Sequence, residues 1–302
     1  MLTIGSRGSK LALWQANFIR SRLEELGEEC RIEVIKTSGD MIQHVPLKEV
    51  GNKGLFTKEI EEALLGGRID LAVHSLKDMP TLIPSGLEIT ATPEREDPRD
   101  VMVGKRLDEL PPGARVGTGS LRRIAQLCAA RPDLIVESIR GNVDTRLRKL
   151  DEGRYDAIVL AAAGLRRLGW QDRIAEHLPV EIMCPAVGQG ALAVETRKDD
   201  GPGMQAAMRL EHPPTRAAIT AERAVLMLLG GGCQVPVGVH ATVEAGQIDL
   251  RAVVISPDGK RIVKRERSGP AGNAAALGTA LGHELLAAGA GEIVAAVVRP
   301  AQ

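Results

Sequence analysis

Leu2-Thr3-Ile4-Gly5-Ser6-Arg7-Gly8-Ser9-Lys10-Leu11-Ala12-Leu13-Trp14-Gln15-Ala16 is the stretch that decides the fold class. A short aliphatic run gives way to a Gly/Ser turn and then to an amphipathic helical pattern that continues to Leu26, which reads as strand, turn and helix. The pattern repeats outward from there. A strand over Ile32 to Lys36, a helix over Thr57 to Leu65 and a strand over Asp70 to His74 complete a first unit. The breaker-rich Thr92-Pro93-Glu94-Arg95-Glu96-Asp97-Pro98-Arg99 reads as a hinge or linker. A second unit follows, with strands near Val101, Val116, Ile135 and Ile158 and helices over Leu121 to Ala130 and Val143 to Leu150. Alternation of this kind predicts α/β architecture with largely parallel sheets. Cys184-Pro185-Ala186-Val187-Gly188-Gln189-Gly190 is a second crossing, followed by a strand over Ala191 to Glu195. From His212 the pattern changes to one helix, hairpin-like strands around Val239, Leu250 and Ile262 with a Pro257-Asp258-Gly259 turn, and an Ala-rich helix over Ala274 to Ala288. That is a smaller α+β domain.

Composition narrows the function classes. A chain of 302 residues suggests about two domains by length alone. With 44% apolar and only 2% aromatic residues, its cores are aliphatic and it offers few rings on which bases could stack. The 39 basic and 39 acidic residues cancel, so no global field draws the chain to nucleic acid or membrane. Cys30, Cys128, Cys184 and Cys233 form no C-x-x-C pair and have no histidine at zinc-ligand spacing, which argues against a disulfide framework or a metal site. The N-terminus reaches Arg7 without an apolar signal core, and the chain reads as a soluble, cytoplasmic protein.

Chemistry concentrates where strands hand over to helices. Gly5-Ser6-Arg7-Gly8-Ser9, Gly117-Thr118-Gly119-Ser120-Leu121-Arg122-Arg123 and Arg140-Gly141-Asn142-Val143-Asp144-Thr145-Arg146 are such turns, and in open α/β sheets ligands bind beyond the carboxyl ends of strands. Helix N-termini there offer free amides, and arginine adds a planar fork matched to carboxylate or phosphate. One such turn is weak evidence, because Gly and Ser open helices everywhere. Three shift the balance toward an anion-binding crevice. No phosphate-loop or dinucleotide fingerprint is present, so a ligand with several carboxylates fits better. His74-Ser75-Leu76-Lys77-Asp78-Met79-Pro80 brings Lys77 and Asp78 to the same crevice, where an acid among arginines can stabilise a developing cation. An ordinary Lys77–Asp78 pair is the bland alternative. Cys233, in Gly230-Gly231-Gly232-Cys233-Gln234-Val235-Pro236, follows a helix on a glycine-rich loop. It is either a buried thiol after a helix cap or an attachment point.

Taken together, the segments from His74 to Pro80, Gly119 to Arg123, Arg140 to Val143 and Gly231 to Pro236 resemble the porphobilinogen deaminases, also called hydroxymethylbilane synthases. The opening Ser6 to Ala16, Lys53-Gly54-Leu55-Phe56 and Val187-Gly188-Gln189-Gly190-Ala191 are similar too, in family order along nearly the whole chain. The resemblance implies two α/β domains like those of type II periplasmic binding proteins, with the active cleft between them, plus a smaller C-terminal α+β domain. Their boundaries would be 1–94 with 191–208, 99–186 and 213–302. It implies a transferase that joins four porphobilinogen molecules head to tail with loss of ammonia, giving the linear tetrapyrrole hydroxymethylbilane. It also implies a dipyrromethane cofactor held by a thioether to Cys233.

By the same resemblance, Lys77, Asp78, Thr118, Ser120, Arg122, Arg123 and Arg140 contact the cofactor. Arg7, Ser9, Lys53, Arg140, Arg146, Arg167 and Gln189 contact substrate, and Asp78 is catalytic. The sequence departs from the family at Glu49, where several members carry a basic residue. No metal, nucleic acid or membrane partner is implied, and the chain is expected to be a monomer. The rival reading is a non-catalytic binding protein for polycarboxylates or tetrapyrrole precursors on the same bilobal fold. Asp78→Ala separates the two: it is expected to abolish turnover while leaving the adduct on Cys233, as read by intact mass, and an active variant would remove Asp78 from the catalytic role.

Overall fold

The structure is a computed structural model that describes residues 1–41, 57–199, 201–230 and 235–298. Lys53, Glu49 and Cys233 lie outside the described residues. The chain runs β1 (Leu2–Ser6), α1 (Lys10–Glu25), β2 (Cys30–Val34), α2 (Ser38–Met41), α3 (Lys58–Leu65), β3 (Leu71–Ser75) and β4 (Leu87–Ala91). It continues through β5 (Asp100–Val103), β6 (Arg115–Gly117), α4 (Leu121–Ala130), β7 (Ile135–Glu137), α5 (Val143–Asp151), β8 (Ala157–Ala161), α6 (Ala162–Arg167) and β9 (Ile174–His177). The remainder is β10 (Leu192–Arg197), α7 (Pro202–Met208), α8 (Pro213–Leu228), β11 (Val237–Glu244), β12 (Gln247–Ile255), β13 (Ile262–Pro270), α9 (Ala274–Ala287) and α10 (Ala290–Val298). Two compact units result, one of Met1–Glu96 with Ala191–Arg216 and one of Asp97–Gly190 with Ala217–Gln302.

In the first unit a five-stranded sheet has the order β2-β1-β3-β10-β4. α1 forms because the apolar Ala12, Ala16, Ile19 and Leu23 fall at helical spacing, and with the polar Gln15 they are its buried face. Ser9 starts it, the hydroxyl accepting from the Ala12 amide at 3.2 Å. That face packs with Ile4, Leu71, Val73 and Val194 in one core. Each such fully buried aliphatic side chain contributes about 1.5–3 kcal/mol.

The second unit repeats the arrangement, with the order β7-β6-β8-β5-β9. In both sheets the fourth strand is antiparallel to its neighbours, β10 to β3 and β4, and β5 to β8 and β9. The expectation of largely parallel sheets is corrected here. β10 and β5 are the strands by which the chain enters each unit after a crossing, and local periodicity carries no information about a partner that lies far off in the sequence, such as Ser75 for Leu192 or Ala161 for Asp100. These two sheets form the expected pair of α/β layers, and the antiparallel meander β11-β12-β13 is the α+β addition.

The meander is covered by α8, α9 and α10 over a core that includes Val225, Val239, Ile248, Leu250, Leu281 and Ile293. Ala125 and Cys184 join Val253 and Ile255 in a smaller cluster that ties α4 to β12. Among the described residues no single helix is long and apolar enough to cross a membrane. α8 and α9 approach so closely that a Cβ on Gly278 would collide with the Ala221 carbonyl. Gly278→Ala is therefore expected to destabilise the second unit by about 1–3 kcal/mol. Gly272→Ala, where nothing lies within 4 Å, serves as the control, with urea unfolding as the measurement.

Candidate functional site

The second unit carries most of the basic residues singled out above. β6 and β7 are adjacent and parallel, and β6 also pairs in parallel with β8, so the turns that follow all three strands share one edge of the sheet. The first two interlock: the Thr118 amide donates to the Glu137 carbonyl at 2.9 Å, and a Cβ on Gly119 would stand 2.9 Å from the Ile139 carbonyl. Glycine is required there by space. Gly141, at φ +110°, makes the sharp turn between Arg140 and the start of α5. Thr118, Ser120, Arg122, Arg123, Arg140 and Arg146 thus come together on one rim, and Arg167 joins them from α6, which follows β8.

These side chains are not equivalent. Thr118 is buried, and its hydroxyl faces the Ser120 amide at the start of α4 at 3.4 Å. Arg140 is half-buried, and its guanidinium has no hydrogen-bond or ion-pair partner among the described residues. Arg146 donates from Nε to the Gly141 carbonyl at 2.8 Å, and Arg167 from Nη2 to the Gly190 carbonyl at 2.6 Å.

Arg122 and Arg123 are only 4% and 5% exposed and both grip Asp100, which is 0% exposed at the start of β5. Arg123 donates to Asp100 Oδ1 from Nε at 3.0 Å and from Nη2 at 2.7 Å, and its Nη1 donates to the Val159 carbonyl at 3.0 Å. Arg122 Nη1 donates to Asp100 Oδ2 and to the Cys184 carbonyl, each at 2.6 Å. Gln189 is part of the same cluster: its amide nitrogen donates to Asp100 Oδ1 at 2.9 Å and to the Pro98 carbonyl at 2.7 Å. Gln126 clasps Cys184 from both sides, accepting from its amide at 2.7 Å and donating to its carbonyl at 3.1 Å. Burial alone would raise the Asp100 carboxyl, but the charges of Arg122 and Arg123 and the hydrogen bonds outweigh it and bring it down to about 2. Burial lowers the Arg123 guanidinium, against the pull of Asp100. The Cys184 thiol is pushed up to about 12 by burial and is inert.

The first unit carries a second rim. β1 and β3 are parallel neighbours, so the turn holding Arg7 and Ser9 and the segment after β3 lie at the same edge. Gln15 of α1 donates to the Ser75 hydroxyl at 2.8 Å, fastening the end of β3. A single 3₁₀ turn, Leu76–Asp78, then presents Lys77 half-buried and Asp78 exposed. The Asp78 carboxylate has no hydrogen-bond or ion-pair partner among the described residues. Behind this edge His74 Nε2 and Glu195 Oε2 meet at 3.0 Å, both buried.

Sequence reasoning missed Asp100, Glu195 and Glu222. Glu222 is fully buried in α8 and accepts from the Gly188 amide at 2.7 Å and the Ala241 amide at 2.9 Å. A signal existed for each: an acid at an inward position of a strand or helix must be paired. Asp100 and Glu222 both sit at such positions, Asp100 opening an aliphatic strand and Glu222 beside Ala221 and Val225 on the apolar face.

Among the described residues no group of three or more His, Cys, Asp or Glu side chains could hold a metal ion. An acidic organic cofactor fits better. Among the described residues, Arg122 Nε is buried with no hydrogen-bond partner and Arg122 Nη2 has only Gln189 Oε1 at 3.5 Å, so a donor edge suited to a carboxylate is left unsatisfied.

Comparison with known proteins agrees with that chemistry. Residues 2–204 match the family model described as "Porphobilinogen deaminase, dipyromethane cofactor binding domain", and residues 216–287 match "Porphobilinogen deaminase, C-terminal domain". The porphobilinogen deaminase of Pelobacter propionicus is 52% identical over 292 residues, which covers 95% of this chain and 94% of that protein. Those of Pelotomaculum thermopropionicum and Brevibacillus brevis are each 52% identical, over 97% and 98% of this chain and 96% and 97% of theirs.

The Asp100 cluster sets a pH dependence. Its folded pKa lies below the ordinary 3.8, so the stabilisation is complete above that value and is lost as pH falls toward about 2. A carboxyl displaced this far contributes about 2 kcal/mol. Urea unfolding followed by Trp170 fluorescence in a Trp14→Phe background is expected to show that loss between pH 4 and pH 2. Asp100→Asn should lack this part of the pH dependence.

Proposed function

This chain belongs to the porphobilinogen deaminase family, and from that premise we propose which of its residues carry the family's reaction. The activity is that of a transferase: porphobilinogen molecules are joined head to tail, each losing ammonia, into hydroxymethylbilane for tetrapyrrole biosynthesis. The family's dipyrromethane cofactor supplies, when bound, the pyrrole end from which the chain is extended. Cys233, in the glycine-rich stretch Gly230 to Pro236, is the attachment residue.

Each porphobilinogen brings an acetate and a propionate, so the growing chain accumulates negative charge. The arginine rim exists to hold it. Arg122 and Arg140, with Thr118, Ser120 and Lys77, bind the cofactor's carboxylates, and Arg123 adds its positive charge to the same site from behind Asp100. Arg7, Ser9, Lys53, Arg140, Arg146 and Arg167 bind those of substrate, and Gln189 is a further substrate contact. The amide-rich start of α4 adds favourable dipole to the same anions.

Asp78 carries the chemistry, and the observation that supports it is the contrast between the two acids at these sheet edges. Asp100 is neutralised by two arginines, whereas Asp78 stands exposed with no partner among the described residues. A carboxylate so placed accepts hydrogen bonds from pyrrole N–H groups and assists proton transfer to the leaving amine. Loss of that amine from porphobilinogen leaves a cationic azafulvene, which a nearby carboxylate stabilises more than it does the neutral pyrrole ring.

The chain folds as three domains, 1–94 with 191–208, 99–186 and 213–302, and works as a cytoplasmic monomer without metal, nucleic acid or membrane partner. Intact mass with peptide mapping tests the assignment. Purified chain is expected to carry two pyrrole units on Cys233 and to show a ladder of single-unit additions under limiting porphobilinogen. A Cys233 that stays unmodified after porphobilinogen or hydroxymethylbilane is supplied would refute it.

A further inference from the structure

Asp100 has a place in the ligand chemistry beyond charge balance, an inference that rests on the reading of the arginine rim as the carboxylate-binding site. The cluster contains two guanidiniums and one carboxylate, all buried, so it carries one net positive charge. Its donors are unevenly used. Arg123 spends Nε and Nη2 side-on around Asp100 Oδ1 and Nη1 on Val159, leaving none of its three nitrogens without an acceptor. Arg122 spends Nη1 on Asp100 Oδ2 and Cys184. Its other edge is different: among the described residues Nε has no partner, and Nη2 has the Gln189 carbonyl oxygen at 3.5 Å, beyond the length of a charge-assisted bond. A buried charged donor without an acceptor is costly, and an arriving carboxylate removes that cost.

We propose that Asp100 is a positioning and specificity residue, a resident carboxylate that occupies the Arg123 fork and the end of Arg122 and leaves the Nε/Nη2 edge of Arg122 as the cluster's receptor for one ligand carboxylate. Gln189 completes the device. Its nitrogen is anchored on Asp100 and Pro98, and its oxygen, 3.5 Å from Arg122 Nη2, is the group that a carboxylate displaces from that edge. Without Asp100 the two cations would stand side by side in low dielectric with nothing between them. Any small dianion would then be drawn in, whether or not the rest of the rim recognised it. Asp100 thus lowers affinity for small dicarboxylates and reserves the edge for an acid held in place by its neighbours on the rim.

The test uses the full-length chain and succinate as the probe. Asp100→Asn is expected to bind succinate at least tenfold more tightly than the wild type, read by thermal shift and by competition with porphobilinogen. Its kcat should fall while KM for porphobilinogen does not rise. A role confined to folding would lower the unfolding temperature without changing the succinate response, and an unchanged response overturns the proposal. Gln189→Glu covers the case in which Asp100→Asn does not fold, because a second carboxylate beside the open edge makes the cluster neutral. That variant is expected to acquire pyrrole units at least tenfold more slowly by intact-mass time course, and loading at the wild-type rate overturns the proposal. Failure of the wild type itself to acquire pyrrole units would overturn the proposed residue roles; normal wild-type loading with either negative result overturns only the role of Asp100.

Discussion

The grip of Arg122 and Arg123 on Asp100 is the constraint on which the second unit depends. It joins the first turn of α4 to the first residue of β5, reaches β8 through the Val159 carbonyl, and reaches the 184–190 segment through Cys184 and Gln189. Ion pairs this deep gain little net stability over an apolar substitute, since two or three charges must be stripped of water. Their consequence is geometric. Guanidiniums held by fixed acceptors cannot sample other rotamers, so the donor edge that remains is aimed before any ligand arrives, and little ordering entropy is left to be lost on binding.

The first unit solves a different problem by opposite means. Asp78 is carried on a single 3₁₀ turn after a strand that is itself pinned, by Gln15 at Ser75 and by the buried His74–Glu195 pair in its interior. Rigid support and an acid without a partner among the described residues together suit the role proposed for Asp78, which must meet a charge appearing only during reaction. An acid already neutralised, as Asp100 is, would have little field left to offer.

Glu222 shows how the segments flanking residues 231–234 are tied together. Its carboxylate, in the helix that leads toward Cys233, accepts amide hydrogens from Gly188 and from Ala241 of β11. The elements on either side of the cysteine loop are therefore fastened to one another and to the segment that carries Gln189. Within the second unit, the turn at Gly259 also presses on the end of α4, where a Cβ would stand 2.5 Å from the Ala129 amide nitrogen. The meander and the arginine-bearing helix accordingly share a packed surface.

The linear sequence determined much of this protein. Strand-turn-helix periodicity, Gly119 and Gly141 in turns that need them, and arginines clustered after strands all follow from local rules of spacing and backbone sterics, and they were legible one segment at a time. The family motifs pointed to Asp78 and Cys233 on the same footing. What only the tertiary structure decided is pairing: that β10 and β5 run antiparallel within their sheets, that Asp100 in an unremarkable Pro-Arg-Asp stretch lies between two guanidiniums, and that Glu222 closes on amides from two other segments. Periodicity reports which face of an element is buried, not what it is buried against. Burial of a charge makes a partner obligatory, but that partner is set by the approach of chain segments far apart in sequence, so it is known only once the sheets have closed around it.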